Sequence, residues 1–266
     1  MAAASDGLLW VGLEAGGVLS FDPMQDMRDS RYWHGQEVSS VSAVGLLGAS
    51  GGGCSVRLWR RGTREPLADM PQDSRVTALV QHGTGVLAQA CADGSVHALD
   101  LGAGRARVLH RFGSPVACLA PGGEGSLFVG LTSGAVAELC HGVVKRTFFP
   151  TTAVGPLGVR AVALAAASLH VARDSQPLVS HDLADGGPAR AAEDHGAAAS
   201  ALFPLQSGAA VGSEDGAVSV LDGELRPVSE ATGAHAGRVV ALAPLPNGEL
   251  ASASADGALL AWRPPR

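Results

Sequence analysis

An internal period constrains this chain more than any other feature. Seven segments share a short apolar run, a small-polar turn usually ending in Gly, and an alternating run that often closes on Trp or Asp. They read LLWVGLEAGGVLSFD, LLGASGGGCSVRLW, VLAQACADGSVHALD, LFVGLTSGAVAELC, LHVARDSQPLVSHD, AAVGSEDGAVSVLD and LASASADGALLAW. Aligned on the turn residue, the anchors are Gly17, Gly53, Gly94, Gly134, Ser175, Gly216 and Gly257, separated by 36, 41, 40, 41, 41 and 41 residues. A unit of this length, repeated in register, buries its faces only against its neighbours.

Within each period, two short runs flank Asp-Gly or an equivalent pair. This is a β-hairpin signature, because Gly supplies the positive φ of a primed turn. A third run lies upstream: EVSSV, RVTALV, PVACLA, RAVALA, ASALFP and RVVALAP. A fourth, as in RARVLHRF and ELRPVSE, follows the hairpin. Four strands per period predict an all-β chain, a seven-bladed β-propeller occupying 1–266 as one domain. The units run 7–33, 34–72, 73–112, 113–153, 154–194, 195–234 and 235–266. The count of 36 Gly with no collagen period agrees with many turns.

The alanine-rich stretch AVALAAASLHVA at 161–172 would favour a helix in isolation, yet its phase matches RVTALVQHGTGVLAQA. It reads as strand, turn, strand. The first unit opens at its second strand and the last stops after its third, at Trp262, so one inner and one outer strand are expected to be missing at the seam. Such a gap exposes strand edges. A covering partner, a gene model short of N-terminal residues and a naturally imperfect seam each account for it.

The repeats resemble the WD-repeat family. The last unit carries the resemblance best, with His235, then VVAL, Ser252, Asp256-Gly257 and Trp262. The resemblance implies that His235, Ser252, Asp256 and Trp262 form a buried hydrogen-bonded tetrad tying a loop to its blade. His34, Ser50 and Trp59 keep part of this pattern in unit two, and His195, Ser213 and Asp215 keep part in unit six. Units three to five lack the His, and Arg60 and Arg263 follow the two closing tryptophans where the family has Asp.

A formal net charge of −6 and a pI of 5.8 supply no general field toward nucleic acid or an anionic membrane. Cys54, Cys91, Cys118 and Cys140 form no C-x-x-C pair, the pattern of free thiols in a reducing compartment. The N-terminus MAAASDGLLW has no secretory pattern, and the longest apolar run, Ala161 to Leu169, is short for a membrane helix. These features predict a soluble protein of the cytoplasm, with the nucleus as a second setting, and no membrane partner.

Three chemical motifs conflict with the repeat. Gly48-Ala49-Ser50-Gly51-Gly52 fits G-x-S-x-G, but strands flank it where a nucleophile elbow requires a strand and a helix. Asp100-Leu101-Gly102-Ala103-Gly104 resembles a methyltransferase loop, but an outer strand follows it. The nine histidines show no metal-ligand spacing with a carboxylate or Cys partner. No catalytic residue, cofactor or metal is therefore expected.

The functional expectation is positional. Residues opening each innermost strand would surround a channel mouth, and Arg75, Arg160 and Arg238 stand there in units three, five and seven. Three guanidiniums favour an acidic or phosphorylated segment of a protein partner, while local pairing or solvation is the competing expectation. Arg57, Arg60, Arg61 and Arg64 offer a weaker nucleic-acid patch. The segment 22–35 carries half the chain's methionines, its only tyrosine and one tryptophan, which suits either an interface or packing on its own blade. The chain thus reads as a non-catalytic scaffold for protein–protein interaction. An RNA-associated propeller and a propeller enzyme are the alternatives.

Overall fold

The computed structural model describes residues 1–266 apart from 24–26, 64, 124, 150–157, 175, 185–189, 193–196, 207 and 265–266. Among the described residues there are 27 strands and no helix. They pair into six four-stranded sheets and one three-stranded sheet, each an antiparallel meander in chain order. The fold is a seven-bladed β-propeller.

Blade one comprises Ala2–Ala3, Leu9–Gly12, Gly17–Asp22 and Met27–Trp33. Blade two comprises Val38–Val44, Leu47–Gly52, Ser55–Arg60 and Ala68–Pro71. Blade three is Val76–Gln81, Val86–Cys91, Ser95–Asp100 and Arg105–Arg111, and blade four Val116–Pro121, Ser126–Leu131, Val136–Cys140 and Val143–Phe148. Blade five is Val159–Ala165, Ser168–Arg173, Val179–Asp182 and Arg190–Ala191, and blade six Ala199–Leu205, Gly208–Ser213, Val218–Leu221 and Pro227–Ala231. Blade seven is Val239–Pro244, Leu250–Ser254 and Leu259–Trp262.

The chain divides into two compact units. The first is Met1–Val129 with Ala137–Arg146, and the second is Gly130–Val136 with Thr147–Arg266.

The seam expectation is corrected on one side. Blade one does have a first strand, since Ala2 pairs with Trp10 and Ala3 with Leu9. Two alanines carry no alternation, so backbone pairing alone marks this strand. On the other side, blade seven has three strands among the described residues, as expected.

The alanine-rich stretch is a hairpin. Val162 pairs with Val171 and Ala165 with Ser168, around a turn that holds Ala166 at φ +50°. Cross-strand pairing overrides the helical preference of alanine.

The cores lie between the faces of successive blades. One cluster in the first unit joins Val44, Ala49, Val56 and Leu58 of blade two to Val76, Leu79, Leu87 and Leu99 of blade three. Another, in the second unit, joins Ala172 and Leu178 to Ala199, Ala209, Val211 and Leu221. The only tyrosine belongs to such a core: Tyr32 is buried, with its ring 5.3 Å from that of Trp10 and 5.2 Å from that of Trp59.

A joint recurs between neighbours. The residue opening a blade's first strand packs onto a glycine in the second strand of the preceding blade. A Cβ on Gly12 would overlap Val38, one on Gly51 would overlap Val76, and one on Gly212 would overlap Val239. Between blades five and six the corresponding residues, Ala199 and Ala172, are both alanine and belong to one buried cluster. The glycines are small because a neighbour's side chain fills the space that theirs would take.

A second regularity is a β-bulge at the second residue of the first strand. Pairing skips Ser39, Thr77, Arg160, Ser200 and Val240 in blades two, three, five, six and seven. In two blades the skipped residue is a clip. Ser39 Oγ lies 2.6 Å from the Val76 carbonyl and 3.0 Å from that of Gly51. Ser200 Oγ lies 2.6 Å from the Val239 carbonyl and 3.1 Å from that of Gly212. Each hydroxyl thus bridges its own sheet and the next.

Candidate functional site

Backbone pairing places the expected arginines at two different registers. The residue just before the first strand accepts a hydrogen bond from the residue that follows the second strand. Arg75 O accepts from Ala92 N at 2.9 Å and Arg238 O accepts from Ala255 N at 2.9 Å. In blade five the acceptor is Gly158, with Asp174 N at 2.9 Å, and in blade six it is Ala198, with Glu214 N at 2.9 Å. Arg75 and Arg238 are therefore equivalent, whereas Arg160 stands two residues further along, at the bulge.

The donor side of this rung supplies what the motif search missed. In blades five and six it is acidic, Asp174 and Glu214. Arg160 Nε pairs with Asp174 Oδ1, and Arg238 approaches Glu214 Oε1 at 3.9 Å. Arg160, Arg173, Asp174, Ala198, Ala199 and Glu214 line a cavity of about 300 Å³ in the second unit. Glu214 lines that cavity and faces Arg238, which is not among the lining residues. Two arginines, Arg160 and Arg173, and two carboxylates, Asp174 and Glu214, line it, and Arg238 approaches Glu214.

Arg173 is the distinctive member. Its guanidinium sits 4.2 Å over the ring of Phe149, and its Nε is buried without a hydrogen-bond partner. Burial pulls its pKa below the usual arginine value, so an arriving acceptor would satisfy a donor the fold leaves unpaired. Arg75, in the first unit, is exposed.

The expected tetrad forms unevenly. In blade two, His34 Nε2 donates to Gly52 O at 3.0 Å, which leaves Nδ1 to accept from Ser50 Oγ at 2.8 Å. Ser50 in turn accepts from Trp59 Nε1 at 2.7 Å. Burial lowers the His34 pKa, in keeping with a neutral ring wired in this way. Ser50 is thus a buried link in a structural chain.

In blade seven, His235 Nε2 meets Ser252 Oγ at 2.7 Å, while His235 Nδ1 lies 3.8 Å from Asp256 Oδ2. Asp256 accepts from Ala258 N at 2.7 Å and Ala236 N at 2.8 Å, and these bonds hold its carboxyl below the usual range. Trp262 Nε1 is buried without a partner and does not join Ser252. His195 lies outside the described residues. In blade six Ser213 is buried, and Asp215 accepts from Ala217 N at 3.1 Å.

The remaining candidates take structural roles. Asp100 Oδ1 accepts from Gly102 N and Ala103 N at 3.0 and 2.9 Å, closing the turn into the fourth strand of blade three. Arg57 bonds Asp69 at 2.8 Å and the His34 carbonyl at 2.7 Å. The Arg60 carbonyl receives the Tyr32 hydroxyl at 3.1 Å, and Arg64 lies outside the described residues. Met24 of segment 22–35 also lies outside them, and Trp33 is exposed. Among the described residues no cluster of His, Cys, Asp and Glu could hold a metal ion, and no helix is long and apolar enough to cross a membrane.

No family model matches the chain, and no curated protein matches it in sequence. Solved structures do resemble it. A chain of the mitotic checkpoint complex superposes with a TM-score of 0.86 at 21% identity, over 100% of this chain and 86% of that one. The computationally designed Ika8 protein superposes with a TM-score of 0.74 at 19% identity, over 98% of this chain and 81% of that one. At these identities the likeness shows the fold, a β-propeller shared with a member of a multiprotein assembly and with a designed protein.

Proposed function

We propose that this chain is a propeller of the WD-repeat type that serves as a non-catalytic scaffold for protein–protein interaction in a multiprotein complex. The partner it would take carries an acidic or phosphorylated segment. One observation carries the reading: Arg160 lines a polar cavity beside Arg173, whose buried Nε has no acceptor, and Glu214 of the same lining faces Arg238. A carboxylate or phosphate ester would accept from that donor and match a planar guanidinium. Arg75 extends the same chemistry to blade three. The His34–Ser50–Trp59 chain supports the WD-repeat type, and the likeness to a chain of the mitotic checkpoint complex supports a role within an assembly.

Four free cysteines suit a reducing compartment, and cytoplasm or nucleus is the proposed setting. An RNA-binding role draws less support, because Arg57 is committed to Asp69 and to backbone carbonyls.

Affinity purification with mass spectrometry, comparing the intact chain with the R75E/R160E/R238E triple variant, tests the proposal. Selective loss of acidic or phosphorylated partners is expected from a variant with an unchanged unfolding transition. Retention of every partner would overturn the cationic reading, and turnover of a substrate by the purified chain would overturn the non-catalytic one.

A further inference from the structure

The cavity of blades five and six carries its own anions. Arg160 Nε pairs with Asp174 Oδ1, and Arg238, beside the cavity, approaches Glu214 Oε1 at 3.9 Å. Arg173 lines the cavity as well, with its guanidinium 4.2 Å over the Phe149 ring. Among the described lining residues the charges therefore balance, and an incoming anion competes with two residents.

The residents are exchangeable. The side chains of Arg160 and Asp174 are 45% and 32% exposed, and those of Arg238 and Glu214 are 43% and 39% exposed. Ion pairs this open to water are weak. The backbone holds both acids independently of their side chains, since Asp174 N donates to Gly158 O and Glu214 N to Ala198 O, each at 2.9 Å. Either carboxylate can turn into solvent without loosening its blade.

Exchange discriminates between ligands. A carboxylate that displaces Asp174 replaces one singly charged, two-oxygen group with another and gains nothing in charge. A phosphomonoester carries about −1.5 to −2 near pH 7 and has three acceptor oxygens. It can hold Arg160 through two of them and keep the third for a neighbouring guanidinium. Glu214 and the displaced Asp174 repel either ligand, and the one with surplus charge and acceptors offsets that repulsion better. A volume of about 300 Å³ takes a phosphate group together with the side chain that bears it.

We propose that Asp174 and Glu214 act as a filter, making this cavity selective for a phosphorylated residue of a partner protein over an acidic one. This selectivity rests on the cavity being the docking site of the preceding section. It adds that the site's own carboxylates, and not only its arginines, set which anion is accepted.

The full chain is titrated with three probes: a short alanine-glycine peptide carrying one phosphoserine, the same peptide with glutamate in that place, and inorganic phosphate. The Arg160 Nε–H resonance, identified by its loss in Arg160→Lys, reports binding by NMR. The phosphoserine peptide is expected to bind about tenfold tighter than the glutamate peptide, and also tighter than inorganic phosphate, which lacks the backbone of a segment. In Asp174→Asn the ratio between the peptides should fall to about threefold, through a gain by the glutamate peptide, and Glu214→Gln should move it the same way by a smaller factor. Equal affinity for the two peptides in the native sequence, or a ratio that neither variant changes, would overturn the filter while leaving the anion site standing. Inorganic phosphate binding as tightly as the phosphoserine peptide would overturn the assignment to a protein segment. A resonance that no probe moves, in the native sequence or in either variant, would remove the docking site itself.

Discussion

The hydroxyl of Ser200 lies 2.6 Å from the carbonyl oxygen of Val239, a residue of the next blade. The bulge makes this reach feasible, because it frees Ser200 from the ladder of its own sheet.

Removing that hydroxyl leaves the Val239 carbonyl without this donor. Ser200→Ala is expected to lower unfolding free energy by about 1–2 kcal/mol, and Ser39→Ala to act similarly through Val76. Urea denaturation at pH 7 reads both, and an unchanged midpoint would dismiss the clip as a stabilising contact.

The joint between Gly212 and Val239 gives a coupled pair. Gly212→Ala overpacks the joint and should cost about 1–3 kcal/mol, and Val239→Ala leaves a void costing about 2 kcal/mol. The double variant recreates the Ala172 and Ala199 pair of blades five and six and should cost less than the sum by about 1 kcal/mol. A double-mutant cycle in denaturant checks this, and strict additivity would refute the joint.

Ala166 adopts a left-handed conformation, φ +50°, in the turn between two strands of blade five. Glycine takes this conformation without the Cβ clash, so Ala166→Gly should stabilise the protein by about 1 kcal/mol. A raised thermal midpoint is the expected reading.

His170 is fully buried, with neither ring nitrogen hydrogen-bonded, and burial lowers its pKa from 6.5 to about 4. The unfolded chain therefore binds the proton more readily across that window. Stability contributed by the neutral ring is present above pH 6.5 and is lost as pH falls toward 4, by up to about 3 kcal/mol. Blade four holds Phe128 at the corresponding place, and His170→Phe should flatten this part of the stability profile. Identical profiles from pH 7 to 4 for the two proteins would exclude the effect.

The period was enough to read seven blades, the hairpins and the conversion of an alanine-rich stretch to β structure, because turn glycines and alternation act locally. What escaped depended on pairing between strands. Ala2–Ala3 has no pattern to read and is a strand only through Trp10 and Leu9. Arg160 aligns with Arg75 and Arg238 in sequence because each opens a similar apolar run, whereas pairing makes Gly158 their equivalent. Asp174 and Glu214 fall at one rung of consecutive blades, so their repetition was legible, but a search for catalytic and metal patterns passes over it. The tetrad residues were legible as types, while the failure of Trp262 to reach Ser252 depends on packing that spacing does not encode.

The skipped residue near the start of five first strands is a serine twice, and otherwise a threonine, an arginine and a valine. Because the sheet asks nothing of its backbone, natural variation can alter the chemistry at that position while leaving the architecture intact. A blade can exchange a fastener for a contact residue there by a single codon change, which gives a rigid frame a set of evolvable positions, each already facing a neighbouring blade or the solvent.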